Sequence, residues 1–278
     1  MTKTKFYLQF FFVVAIFVLP PLFAPFFSGG ENVFEFTGFS WWNAACLLVA
    51  ALLNFFEEES VFSAEKKDYS KSMNSRPQFF DSCGVFFDFS SGKGKIPRVI
   101  VFAEFLKTFG ILCAMQAFFE FLGLVLKVRP ATIICFPGNV NIAQILSWAA
   151  ALFSAAFYEE TLYRAYLPFS LKRIFSKKCR SQKERLNAEN EVTAETDSAQ
   201  SGKRAQFCDA AFEIIAIAIF GFSHLRNGIL AVANALVAGF FLRRCAVRTG
   251  GIQAGFFAHF LYNALTLALM MAVGFAIN

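Results

Sequence analysis

Residues 141–171 read NIAQILSWAAALFSAAFYEETLYRAYLPFSL. The run stays apolar for longer than a membrane crossing requires, since about 20 helical residues span the hydrocarbon core. It nevertheless carries Glu159, Glu160 and Arg164. Ionisable groups inside a membrane are costly, so each needs a reason. Residues four apart share a helix face, so Glu160 and Arg164 can pair there. Glu159 sits about 100° round the helix from Glu160 and is free to point elsewhere. Ser147, Ala151 and Ala155 precede Glu159 at four-residue steps. Such a stripe of small residues lets another helix approach closely, so Glu159 is expected to face a bundle interior.

The rest of the chain fits that reading. Of its 278 residues 56% are hydrophobic, with a mean hydropathy of +0.51, against about 45–50% apolar in soluble domains. The excess is blocked into runs rather than spread out. These predict an all-α, polytopic transmembrane helical bundle of about seven spans: Phe6–Phe27, Phe39–Phe56, Val99–Leu126, Asn141–Leu171, Ala210–Leu225, Gly228–Leu242 and Gly251–Ile277. Residues 1–140 form an N-terminal set of helices with a polar loop at about 57–98. Residues 141–277 form a second unit with a polar loop at about 172–209. Asn187–Lys203 has almost no large apolar residue and is expected to be a mobile loop. Lys3 and Lys5 precede the first run as in a signal peptide. That run is longer than a usual signal core and no A-x-A site follows, so it is expected to stay as a span.

The net charge of +6 lies in segments between apolar runs. Lys and Arg gather at Lys3 and Lys5, in the two long loops, and at Arg243, Arg244 and Arg248. The opposite segments hold only Lys127, Arg129 and Arg226. The positive-inside rule then places the N-terminus inside. No basic patch is interleaved with aromatics, so nucleic acid is not an expected partner. The seven cysteines are odd in number and lack CxxC spacing, which predicts isolated thiols.

Two further motifs carry polar groups. Phe220-Gly221-Phe222-Ser223-His224 ends the fifth run, and His259-Phe260-Leu261-Tyr262-Asn263 lies in the seventh. His259 and Asn263 share a face with Gly251 and Gly255, a small-residue seam ending in two polar groups. Taken singly, a histidine in a helix is more often a packed residue with a satisfied hydrogen bond. Here the only two histidines of the chain both fall in apolar segments beside polar partners. Two carboxylates, two imidazoles and a carboxamide on converging helices make a hydrolytic site.

E-E-x-x-x-R, F-x-x-x-H and H-x-x-x-N, in that order on successive apolar helices, resemble the motif set of the CAAX-processing and bacteriocin-processing (CPBP) family of intramembrane proteases. The resemblance covers about 141–277. It implies a peptidase in which Glu159 is the general base and holds a water with His224. His259 and Asn263 would stabilise the oxyanion. Glu160, Arg164 and Phe220 would support the site or position the substrate. The implied partner is a membrane-associated peptide or protein, lipid-modified in some relatives, and the implied location is a bacterial cytoplasmic membrane. No cofactor is expected. Zinc held by two histidines and a glutamate is the alternative mechanism, disfavoured because H-E-x-x-H spacing is absent and Asn263 is a poor zinc ligand. A silent scaffold or immunity protein of the same fold is the alternative function. A proton-relaying transporter fits less well, because no repeat symmetry is present. Counting along ideal spans sets Glu159 towards the inside, His224 towards the outside and His259 near the middle. Convergence therefore requires a deeper fifth span, a fourth span that begins outside the bilayer, or a broken helix.

Overall fold

The computed structural model describes residues 3–27, 32–35, 38–65, 97–128, 132–135, 140–175 and 210–277. Its elements are α1 (Lys3–Val13), a first π-turn (Val14–Val18), α2 (Leu19–Phe27), β1 (Asn32–Glu35), α3 (Trp41–Glu65), α4 (Arg98–Leu126) and β2 (Thr132–Cys135). Then come α5 (Ile142–Glu159), a second π-turn (Glu160–Tyr166) and α6 (167–175). α7 (Ala210–Phe222), a 3-10 turn (Leu225–Asn227), α8 (Ile229–Thr249) and α9 (Gln253–Ile277) complete the bundle. Helical runs thus occur at all seven expected places. Five are long and apolar enough to cross a membrane: Thr4–Phe23, Arg98–Leu126, Ile142–Phe175, Ile229–Thr249 and Gln253–Ala272. Trp41–Leu53 and Ala210–Phe222 are shorter apolar helices.

Large apolar side chains lie outward on these helices: Trp41 is 92% exposed, Leu124 and Val99 78%, and Ile142 76%. Water would oppose so much exposed apolar surface, whereas lipid accommodates it. The interior is built where helices cross. Val13, Phe17 and Val18 from the first helical run, Leu53 from α3, Leu162, Tyr163 and Tyr166 from the second π-turn, Leu167 from α6, Phe220 from α7 and Ala235 from α8 form one cluster. Leu112, Leu242 and Ala258 join α4, α8 and α9 in another.

The all-α reading holds, with one short addition: β1 and β2 pair in parallel, Asn32 opposite Thr132 through Glu35 opposite Cys135. These segments, NVFE and TIIC, are rich in the β-branched and aromatic residues that suit a strand. The sixth run also continues past Leu242, so Arg243, Arg244 and Arg248 lie within α8 rather than in a loop. Two of these arginines find partners there. Arg243 binds Glu213, and Arg248 Nη1 donates to Glu104 Oε1 at 2.8 Å. The latter pair also gives the intramembrane Glu104 its counter-charge. α8 ends at Gly250, whose φ of 68° lies in the left-handed region that a helix C-terminus favours. Cys46, Cys113 and Cys245 are free thiols. Residues 57–65, expected as loop, continue α3; the rest of the 57–98 loop as far as residue 96 and nearly all of the 172–209 loop, with Cys83, Cys179 and Cys208, lie outside the described residues.

Candidate active site

α5 begins with a reciprocal cap. Asn141 Oδ1 accepts from the Gln144 backbone N–H, and Gln144 Oε1 accepts from the Asn141 N–H, each at 2.9 Å. The helix runs uninterrupted to Glu159. Ser147 on its small-residue stripe accepts a hydrogen bond from Phe39 N at 2.9 Å, and Ala151 is buried. The stripe thus receives α3 and the segment before it, as the sequence pattern requires.

At Glu160 the hydrogen-bond register changes. The Leu167 N–H reaches five residues back to the carbonyl of Leu162, which widens the helix by one residue for a turn. Pro168 follows. Lacking an N–H, it cannot continue the ladder. The widened turn carries Glu160 and Arg164, whose side chains are 0% and 2% exposed.

Four helical segments bring the polar groups together. Glu160 Oε1 accepts from His259 Nδ1 at 2.9 Å. The other ring nitrogen of His259, Nε2, lies 3.7 Å from Glu159 Oε2. Arg164 Nε lies 3.4 Å from Glu160 Oε1, an ion pair without aligned hydrogen-bond geometry. Arg164 Cζ stands 3.8 Å from the centroid of the Phe220 ring, a cation–π contact in a desolvated place. The Phe220 ring in turn meets the His224 ring edge-on, with centroids 4.8 Å apart. Glu159, His259, Glu160, Arg164, Phe220 and His224 therefore form one continuous chain of contacts. Asn263 lies one turn beyond His259, half-buried, and joins none of these contacts among the described residues.

α7 bears on the depth difficulty. That helix stops at Phe222, and its Gly221 and Phe220 pack on Leu236 and Gly239 of α8, some two to three turns inside that helix from Ile229. His224 follows two residues after α7, half-buried, with its ring against Phe220. Its Nδ1 is 2.9 Å from the Phe220 carbonyl. A carbonyl only accepts, so Nδ1 donates to it. Ser223 Oγ also donates to that carbonyl at 2.7 Å.

The α9 seam acts as the sequence pattern implies. A Cβ at Gly255 would meet Glu160 Oε2 at 3.3 Å and the Leu242 carbonyl at 3.6 Å. Glycine there lets α9 press against the buried carboxylate and sets His259, one turn on, at hydrogen-bond distance. Glu159 differs from Glu160 in access, with its side chain 24% exposed against 0%. One carboxylate is sealed and committed to His259 and Arg164. The other is open enough to meet water. Among the described residues, no three His, Cys, Asp or Glu side chains are arranged as a metal-binding group.

Sequence reasoning missed three residues beside this site. Arg243 and Glu213 lie under the widened turn, and Tyr158 ties it to the first span. The available signal was proline. Pro168 lies four residues after Arg164, and Pro21 four after Phe17.

The architecture defines a multi-pass integral membrane protein with a carboxylate–imidazole site inside its helical bundle. Residues 141–265 match the family model for type II CAAX prenyl endopeptidase Rce1-like proteins. Over that segment the chain is similar to this family, which points to a membrane-embedded protease acting on membrane-associated substrates. No curated protein and no solved structure matches the chain.

Proposed function

We propose that this protein is an intramembrane endopeptidase that hydrolyses a peptide bond with a water activated by Glu159. The observation that carries the reading is the placement of His259 between two unequal carboxylates, Nδ1 on the sealed Glu160 and Nε2 towards the open Glu159. Glu160 orients the ring, as a carboxylate does behind a catalytic histidine. Among the described residues Glu159 pairs with no arginine, and it is accessible, so it is the carboxylate able to take a proton from water. His224 Nε2 holds the same water through its lone pair. The hydroxide attacks the scissile carbonyl carbon. The protonated His259 ring, donating at Nε2, and the Asn263 amide then hold the oxyanion. Glu159 returns the proton to the departing amine nitrogen as the C–N bond breaks, leaving a carboxylic acid and an amine. Arg164 and Phe220 keep the widened turn packed behind these groups.

A metal-free mechanism suits this donor set, because one carboxylate is already spent on an arginine and on the histidine it orients. The substrate is a membrane-associated peptide. We place the protein in a bacterial cytoplasmic membrane, and the basic segments favour an inside N-terminus. On a variant whose only cysteine is Cys179, an impermeant thiol reagent applied to intact cells should not react, and strong labelling would reverse the orientation.

The decisive experiment compares wild type with Glu159→Gln on a peptide library, prenylated and unprenylated, in one detergent. Wild type should cleave, with or without a chelator. Glu159→Gln should fold with the wild-type melting temperature and be inactive. Activity that chelation removes and zinc restores would replace this mechanism with a metal one.

A further inference from the structure

Pro168 leaves a specific deficit in the helix that carries the two glutamates. In an α-helix the Arg164 carbonyl would accept from the N–H of residue 168, and proline has none. The segment is buried, with Tyr163, Arg164, Tyr166 and Leu167 all in the interior. A buried carbonyl needs a partner from elsewhere. That partner is a side chain from another helix: Arg243 Nη1 donates to the Arg164 carbonyl at 2.7 Å. Arg243 is itself 5% exposed and held by Glu213 of α7. Its Nε donates to Glu213 Oε2 at 2.9 Å, and its Nη2 donates to Glu213 Oε1. The guanidinium fork is thus used on two sides, a carboxylate on one and a main-chain carbonyl on the other.

We propose that Arg243, oriented by Glu213, is a positioning residue of the site: it holds the widened turn Glu160–Tyr166 in the register that sets Glu159 and Glu160 against His259. The inference rests on the peptidase reading for its effect on turnover, although the clamp itself does not. The link is Arg164, whose carbonyl takes Arg243 while its side chain pairs with Glu160. Both flanks of the turn are fixed, α5 by Ser147, which accepts from Phe39 N just before α3, and α6 by Arg173 over the Phe6 ring at 4.3 Å. A one-residue change of register between fixed flanks turns one side by about 100° relative to the other. Glu160 would leave His259, and Glu159 would no longer face Nε2.

Two measurements on the full-length protein in detergent separate the possibilities. The variants are Arg243→Lys, Arg243→Gln, the paired change Arg243→Gln with Glu213→Gln, and Arg243→Gln with Pro168→Ala. The paired change leaves no buried charge alone and so protects folding. Pro168→Ala returns an N–H to the Arg164 carbonyl. Amide exchange across residues 160–167 reads the clamp without reference to activity, and kcat and KM read its consequence. Exchange in this segment should accelerate by roughly tenfold in the paired variant, with the other helices unchanged. kcat should fall by about 10–100-fold, as misplacement of catalytic groups does, with KM held within about twofold. Arg243→Lys, which keeps a donor, should recover part of kcat, and Pro168→Ala should slow the exchange again. Unchanged exchange in the paired variant would overturn the clamp. Uniformly faster exchange with a lowered melting temperature would also overturn it, since that is a general stability role. Local exchange that responds as stated, in a protein that cleaves nothing, would keep the clamp and sink the peptidase reading.

Discussion

The first span and the site helix use one backbone device for different ends. In each, a leucine just before a proline sends its N–H five residues back: Leu19 to Val14 before Pro20, and Leu167 to Leu162 before Pro168. In each, a carbonyl four residues ahead of a proline is claimed by a side chain from another helix. Tyr158 Oη donates to the Phe17 carbonyl at 2.9 Å, and Arg243 Nη1 to the Arg164 carbonyl at 2.7 Å. The first widened turn is Val-Ala-Ile-Phe-Val, which only packs. The second is Glu-Thr-Leu-Tyr-Arg-Ala-Tyr, which presents an acid and a base to the interior. Proline and register supply a shape, and the residues carried on that shape decide whether it becomes a site. The two are also connected, because Tyr158 adjoins Glu159. The first span, outside the segment that matches the family, thereby braces the residue proposed as the base.

The largest effect expected from breaking this comparison is chemical. Glu159→Gln should lower kcat by about 10²–10⁴-fold, the usual contribution of a general base, at unchanged melting temperature. A change in the first turn such as Ala15→Ser should leave kcat at the wild-type value. If Glu159→Gln stays active while Glu160→Gln is folded and dead, the base belongs to the other carboxylate.

Next comes the buried pair that the first turn lacks. Glu160→Gln leaves Arg164 without its counter-charge in a 2% exposed position. Breaking such a pair costs about 3–5 kcal/mol, so denaturant or thermal unfolding should shift strongly. Arg164→Gln should resemble it, and the double variant should be milder than the sum of the two. Additive effects would mean that the pair is not coupled.

A smaller effect tests the seam that presses α9 on the second turn. Gly255→Ala puts a methyl group where Glu160 Oε2 would be 3.3 Å away. Overpacking of this kind costs about 1–3 kcal/mol, and His259 should move from Glu160 with it. A loss in kcat larger than the loss in stability implies would show that the seam sets the histidine.

The smallest effect belongs to the first turn. Tyr158→Phe deletes the donor to the Phe17 carbonyl and should cost roughly 0.5–1.5 kcal/mol, the net worth of one such hydrogen bond. Turnover should fall slightly, because the brace sits beside Glu159. No change in either quantity would mean that the two turns are independent.

Much of this protein is settled by its amino-acid order alone. Apolar runs place the seven helices, because a stretch that cannot be hydrated must be buried or face lipid. The 3.6-residue period sets Glu160 beside Arg164, and Gly255 on the face of His259, since such neighbours depend only on one helix. Tertiary packing decided the rest. That His259 sends Nδ1 to Glu160 and turns Nε2 towards Glu159 depends on a contact across 99 residues, which no helical period specifies. Arg243 looks in sequence like a loop cation, and only the arrival of Glu213 and the unpartnered Arg164 carbonyl make it a buried fork. His224 is linked to Arg164 through the Phe220 ring because α7 is short and seats Phe220 and Gly221 deep against α8, a fact of shape rather than composition. The widened turns lie between these two cases. Pro21 and Pro168 mark where the ladder must fail, but whether a helix there kinks, ends or widens is decided by which neighbouring side chain can reach the freed carbonyl.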